Sequence, residues 1–437
     1  MNAIKVAACV TLAMLMVVSA TVILSTDSDA ATSDSWDGVQ DDSWYEEGTT
    51  EFTLTTAEQL AGLAKLVNEG ITFEGITVKL DTDITLTGHG WTPIGDSGRV
   101  DPEESIESIH LFKGVFDGQG HRIIGLSAGE DYTTQAVNSE GAYTFGLFGF
   151  VYDATIRNIV LEDVNIDLGA TGATSCDSAG SVAGYGLGDT IIEDITVING
   201  AIISTDATGG IIGRYYGDTI RIVDCSCDVD VSSTDSEGGK AGGIIGITAY
   251  VSSAQLDNCD VTGTMSGVYA GGIIGIANSS TAGCVQSFTG CDVSDSQIQA
   301  SLIAGGIAGR GSIGVSITEC SVSNSTVSTT SDAVSDQGTA GGIMGAQGGS
   351  DNTVTVKDCE VLGCTVNAEE NAGGMIGSTI GPSVTIEGGT VSDSMITAVG
   401  DERGTIMTSA GGVVGRISTS TGVEQAILID GVGFGSR

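Results

Sequence analysis

The stretch AGGIIGI occupies Ala241 to Ile247, and the same seven letters return at Ala270 to Ile276. A phosphate-cradling loop, a membrane-helix contact of the GxxxG type and a corner in a repeating fold all use glycine in this way. Outward from these two copies the phrase continues along the chain. It reads SVAG ending at Gly184, GGIIG at Gly213, AGGIIG at Gly246 and Gly275, AGGIAG at Gly309, AGGIMG at Gly345, AGGMIG at Gly377 and AGGVVG at Gly415. Ahead of each copy lies a second phrase in which apolar and polar residues alternate, for example IRIVDCSCDVDV, QLDNCDVTGTM and SITECSVSNSTV. A period of two marks half-buried strands.

One column of the strand phrase holds Ile159, Ile195, Cys225, Cys259, Cys291, Cys320, Cys359 and Gly389. Two residues later stand Leu161, Val197, Cys227, Val261, Val293, Val322, Val361 and Val391, facing the same way. A unit of about 30 residues with two or three short strands cannot close a core alone and must stack on its neighbours. The expected fold is all-β, a right-handed parallel β-helix (solenoid) with a short N-terminal capping α-helix. In each coil the glycine pair turns the backbone through conformations closed to residues with a Cβ and lets coils pack closely, and the following Ile-Ile, Ile-Met or Val-Val fills the interior. On this reading Gly243 and Gly272, which recur at one corner, resist substitution more than Gly217 or Gly283. The rival readings fail on context. GRGSIG at Gly309 to Gly314 matches GxGxxG but is followed by strand-like residues instead of a helix, and no GxxxxGK[ST] occurs.

Composition agrees. The 437 residues include 67 glycines and only 3 prolines, yet 41% are hydrophobic, which supplies a core and rules out glycine-rich disorder. The formal net charge of −41 opposes nucleic acid and anionic membrane surfaces as partners. Lys5, an apolar run from Val6 to Leu24 and small residues after it read as an export signal or an uncleaved N-terminal membrane tether. The expected organisation is a signal peptide or anchor over 1–30, an acidic linker over 31–50, the cap helix and first coils over 51–107, and repeats over 108–437. The ending AILIDGVGFGSR carries a further strand phrase without a polar cap, which leaves truncation or pairing with a partner open.

At the front of the array, Thr56-Ala-Glu-Gln59 forms a capping-box pattern, followed by Leu60, Leu63, Ala64 and Val67 at helical spacing and Gly70 as a stop. Then come KLDTDITL, WTPIG, FKGVFDGQGHRIIGL and FGLFG in order, and after them the repeated GGIIG phrases. This succession resembles the secreted and surface proteins of bacteria and archaea that carry the GLUG motif, specifically over residues 55–151 and more loosely to the C-terminus. The resemblance implies right-handed β-helices in adhesin-like proteins, and accessory regions beside immunoglobulin-A-cleaving metallopeptidases. The zinc helix of such a peptidase, HExxH, has no counterpart, because the histidines are His89, His110 and His121, in GHGW, IHLF and GHRI.

Candidate chemistry is sparse. Asp224, Glu319 and Asp358 precede the interior column and Asp260, Asp292 and Glu360 follow it, which makes these six the calcium candidates; otherwise they form a solvated acidic face. Arg214, Arg310 and Arg416 each follow a glycine phrase in non-adjacent coils, and the expectation is that they share no site. The cysteine column accepts Ile159 and Ile195 elsewhere, which points to a buried, mostly reduced thiol ladder. No insertion concentrates His, Arg and carboxylates. The chain therefore reads as an exported cell-surface or secreted protein of adhesin-like kind with a non-catalytic binding or structural role, a spacer within a cell envelope included. Its partners are glycans or cell-envelope components, and it uses no cofactor beyond the candidate calcium. A polysaccharide-active β-helix enzyme, lyase or glycoside hydrolase, is the alternative.

Overall fold

A computed structural model describes residues 35–95, 110–128, 143–169, 177–279, 281, 283–312, 314–330, 338–348, 353–380, 383–400, 408–418 and 426–435. The signal or anchor expected over 1–30 lies outside them. Among the described residues no helix is long and apolar enough to cross a membrane.

The front of the solenoid is closed by one helix, α1, Ala57–Asn68. Thr56 is extended and its hydroxyl accepts from the Gln59 amide at 3.3 Å, which satisfies one of the free donors at the helix start. The Gln59 side chain completes the pattern one residue earlier than a standard capping box, accepting from the Thr55 amide at 2.8 Å. Leu60, Leu63, Ala64 and Val67 are buried, and Gly70 ends the helix at a φ of 106°. At the far end Asn68 bonds to Pro93 O and to the amide of Gly95, tying the helix to the WTPIG loop. Residues 35–50, expected as linker, pack on this cap: Trp36 is buried, and the Trp44 indole donates to Gln59 O at 3.2 Å.

Behind the cap every registered strand pair is parallel, from Glu51–Leu54 on Thr77–Leu80 to Gly433–Gly435 on Thr390–Ser392. The fold is the expected all-β parallel β-helix. One coil shows the plan. Val285–Thr289 turns at Gly290 into Asp292–Ser294, turns again at Asp295 into Gln297–Gly305, and crosses a glycine corner into Ala308–Gly311. The first three segments belong to the large sheet. The fourth belongs to a nine-stranded sheet that runs from Phe148–Tyr152 to Val414–Ile417. The strand columns keep register: Ile159 faces Ile195, Cys225 faces Cys259, and Val261, Val293, Val322, Val361 and Val391 follow in line. Their side chains are buried and form one continuous core with the cap.

The glycine corner works by contact. Gly243 donates to Gly272 O at 3.1 Å, Gly272 to Gly305 O at 3.2 Å and Gly306 to Gly341 O at 3.1 Å, so neighbouring coils are joined main chain to main chain. A Cβ on Gly243 would lie 2.2 Å from Gly272 O, and one on Gly272 would lie 2.1 Å from Gly306 O. Neither residue has a positive φ. The chain bends here between two strands as expected, but without left-handed backbone, so what requires glycine at this corner is close approach. The contrast with Gly217 and Gly283 also fails. A Cβ on Gly217 would meet Gly188 N at 2.4 Å, and Gly283 has open space around it but a φ of 78°.

Gly238 has neither restriction, with nothing nearer than 3.5 Å to its built Cβ. Gly243→Val and Gly272→Val should each destabilise the protein by roughly 1 to 3 kcal/mol through overpacking, and Gly238→Val should be near neutral. Thermal melts of the three variants check this; equal midpoints would contradict the contact assignment.

Candidate functional site

The six calcium candidates fall in two separate columns. Asp224, Glu319 and Asp358 sit at corners with φ of 54°, 54° and 50°. They share this column with Asn158, Asp194 and Asn258, whose φ values are 54°, 54° and 55°. Left-handed backbone is costly for most side chains and best tolerated by Asn and Asp, so conformation accounts for the column's residue types. Asn258 donates to Asp224 Oδ1 at 3.0 Å across adjacent coils. Asp260, Asp292 and Glu360 lie on the strand face beyond the corner, with Ser321 between the last two. Its hydroxyl donates to Asp292 at 2.6 Å. Burial, and then the facing Asp292 charge, push the Asp260 carboxyl above the usual range. Among the described residues no group of three or more His, Cys, Asp or Glu is placed to hold a metal ion.

The histidines are apart from one another in their contacts. His89 packs edge-on to Trp36 at 5.3 Å, and His121 Nδ1 lies 3.3 Å from Asp83. His110 Nδ1 is buried without a hydrogen-bond partner. A shallow depression nearby is lined by Asp117, Asn158 and Asp194. Asp117, its side chain 7% exposed, accepts from Arg157 Nε at 3.0 Å, Asn158 Nδ2 at 2.9 Å and the Gln119 amide at 3.0 Å. Burial opposes its ionisation, but the bonds from Asn158 and Gln119 and the Arg157 charge prevail and hold the carboxyl below its ordinary value.

All eight described cysteines are free and buried. In the column, each thiol from Cys259 to Cys359 lies near the carbonyl two residues before it and a carbonyl of the preceding coil, as Cys291 does with Thr289 and Leu256. Burial pushes the Cys227 thiol up, and neighbouring thiols together with burial do the same for Cys259. Bonds from the Cys259 and Cys320 thiols shift Cys291 down, and the Cys320 thiol does the same for Cys359, so it is the burial common to all eight that makes them packing groups.

The arginines behave differently from expectation. In the nine-stranded sheet Arg214 faces Ile247, then Ile276, Arg310, Ala346, Ser378 and Arg416 follow in one line. Successive arginines are three coils apart, about 14 Å at ~4.8 Å per coil. Across the glycine corner runs a second line: Ala207, Lys240, Tyr269, Ile303, Thr339, Asn371 and Ser409. Between them a depression of about 440 Å³ is bordered by both Arg310 and Arg416, with Tyr269, Leu302 and Glu370. Contrary to expectation, Arg310 and Arg416 thus border one depression, with the small residues Ala346 and Ser378 between them in the line.

Counter-charges distinguish the three. Asp206, its side chain 6% exposed, pairs with both Arg214 and Lys240. Arg416 Nη1 lies 2.5 Å from Glu370 Oε1. Asp206 and Glu370 hold equivalent places, each immediately before the second line, at Ala207 and Asn371. Around Arg310 the equivalent places are Leu302 in its own coil and Val268 in the coil before. Its guanidinium lies over the Tyr269 ring, 5.6 Å from the centroid, and Nη1 is 3.5 Å from the hydroxyl. Among the described residues no carboxylate is in ion-pair reach of Arg310. The sequence carried a signal for this groove, the constant offset of each arginine from its glycine phrase; Tyr269 and Leu302 carried none, because their importance depends on the opposing line.

No protein-family model matches the chain, and no curated protein matches it in sequence. Among solved structures the chain is similar to a Bacteroides ovatus protein provisionally named an immunoglobulin A1 protease, at 18% identity and a TM-score of 0.41, over 84% of each chain. A likeness of that extent carries no argument about activity.

Two outcomes follow from the buried groups. Alkylation without reductant should leave the eight described thiols unmodified in the native protein and label all eight after denaturation, read by mass after digestion; bridged peptides from the column would refute the packing role. For Asp117, a depressed folded value means its stabilisation is present above the unfolded value of 3.8 and is lost as pH falls through the folded value. Asp117→Asn should therefore cost about 1 to 2 kcal/mol near neutral pH, and melts at successive pH values should show the gap closing below about pH 4.

Proposed function

We propose that this protein is an exported, adhesin-like β-helix that binds glycans or cell-envelope components without chemical turnover. The observation that carries the reading is the lengthwise groove beside the glycine corner. Its walls come from successive coils, so it offers a repeating surface to an extended partner instead of one enclosed cavity. A polymer bound this way gains affinity from several weak contacts in register. The resemblance of residues 55–151 to GLUG-bearing surface proteins supports the same reading, as does a −41 charge that keeps the exterior solvated.

The test is incubation with a panel of purified polysaccharides, followed by co-sedimentation and by assays for reducing ends and unsaturated sugars. Saturable binding with neither product is expected. Release of shortened chains would replace this reading with the polysaccharide-active enzyme, and absence of binding across the panel would reject glycans as partners.

A further inference from the structure

We propose that the groove around Arg310 binds a carboxylate of a uronic-acid-bearing glycan, an inference that rests on the glycan-binding reading above. Beyond Lys240 the described chain has three basic side chains, Arg310, Lys357 and Arg416, against many carboxylates. Two of the three border this one groove. Lys357 is exposed on a strand of the large sheet. In this half of the described chain, an anionic ligand finds its concentration of positive charge at this groove.

Within the groove the cations are not equivalent. Arg416 already has Glu370, and Arg214, farther along, has Asp206. At Arg310 the place of that carboxylate is taken by Leu302, and the planar fork of donors meets a tyrosine hydroxyl at the limit of hydrogen-bond distance. A carboxylate matches that fork with two parallel bonds. Gly348 gives the guanidinium room, since a Cβ there would lie 3.1 Å from Nη2. Tyr269 and Ile303 supply the apolar surface on which a sugar ring rests, and the Ser378 side chain stands on the floor toward Arg416. Arg416, about 14 Å along the axis at three coils of ~4.8 Å each, is held by Glu370, so the carboxylate is placed at Arg310 and the rest of the sugar chain lies along the groove toward Arg416. A groove lined by several successive coils suits a chain of sugars better than a single small acid.

The experiment is calorimetric titration of the full chain with oligogalacturonate, with a neutral oligosaccharide of equal length and with a sulfated one. The variants are Arg310→Ala and Leu302→Glu, the second placing beside Arg310 the counter-charge its sister arginines possess. The expected result is that oligogalacturonate binds the parent protein, and that both variants weaken it on the order of tenfold or more with unchanged melting temperatures. Unaltered oligogalacturonate affinity in both variants would overturn the site. Equal binding of the neutral sugar, indifferent to either variant, would overturn the site yet leave glycan binding standing. Preference for the sulfated chain would overturn the carboxylate assignment, and no binding of any sugar would remove both proposals. Should Arg310→Ala melt early, Leu302→Glu alone decides, because it adds charge at the groove rim and leaves Arg310 in place.

Discussion

Main-chain hydrogen bonds between glycines of neighbouring coils, as between Gly243 and Gly272 or Gly306 and Gly341, are the contact on which the rest of this solenoid depends. They bring two backbones so close that no Cβ fits between them. The approach fixes the axial position of each coil at one corner, and the parallel ladders carry that register around the other faces. Cys225 then meets Cys259, Val261 meets Val293, and an interior of small and branched side chains closes without any coil having a core of its own.

The other corners solve a different problem with a different residue. Where the backbone enters the left-handed region, Asn and Asp recur at 158, 194, 224, 258 and 358, with Glu at 319. Part of the chain's acidity is therefore a by-product of geometry. These charges stand on the corner, and Asn258 beside Asp224 shows an amide relieving one carboxylate by a hydrogen bond from the next coil. The groove by the glycine corner is exempt from this pressure because the backbone at Gly243, Gly272 and Gly306 does not enter the left-handed region. Its two lines of side chains are thus free to vary, and they hold arginine, tyrosine, isoleucine and asparagine.

The fold was legible because its signals are local and repeated. The period of two in the strand phrases, the recurring glycines and the capping pattern at Thr56 each state their structure within a few residues. The roles of individual glycines were less legible. Gly217 lacks the repeated phrase, yet it presses on Gly188 across coils, and only the stacked structure brings those two together. The same reason hid the groove. Arg310 and Arg416 are 106 positions apart in sequence and three coils apart in space, and nothing in the intervening letters states that Ala346 and Ser378 leave the space between them open. The carboxylate candidates, chosen for their nearness to one column, proved to occupy two, because a left-handed corner separates residues that are only two apart in sequence.

The line from Arg214 through Arg310 to Arg416 makes the molecule a ruler. Each coil adds one fixed increment along the axis, so the distance between charged stations is written in whole coils and not in loop lengths. Insertions in the turns, which vary the repeat interval, leave the graduations where they are. Gain or loss of one whole coil would shift the downstream station by one step and preserve its chemistry. A lineage of such proteins can therefore change the spacing of its charged stations by counting, without redesigning a single contact.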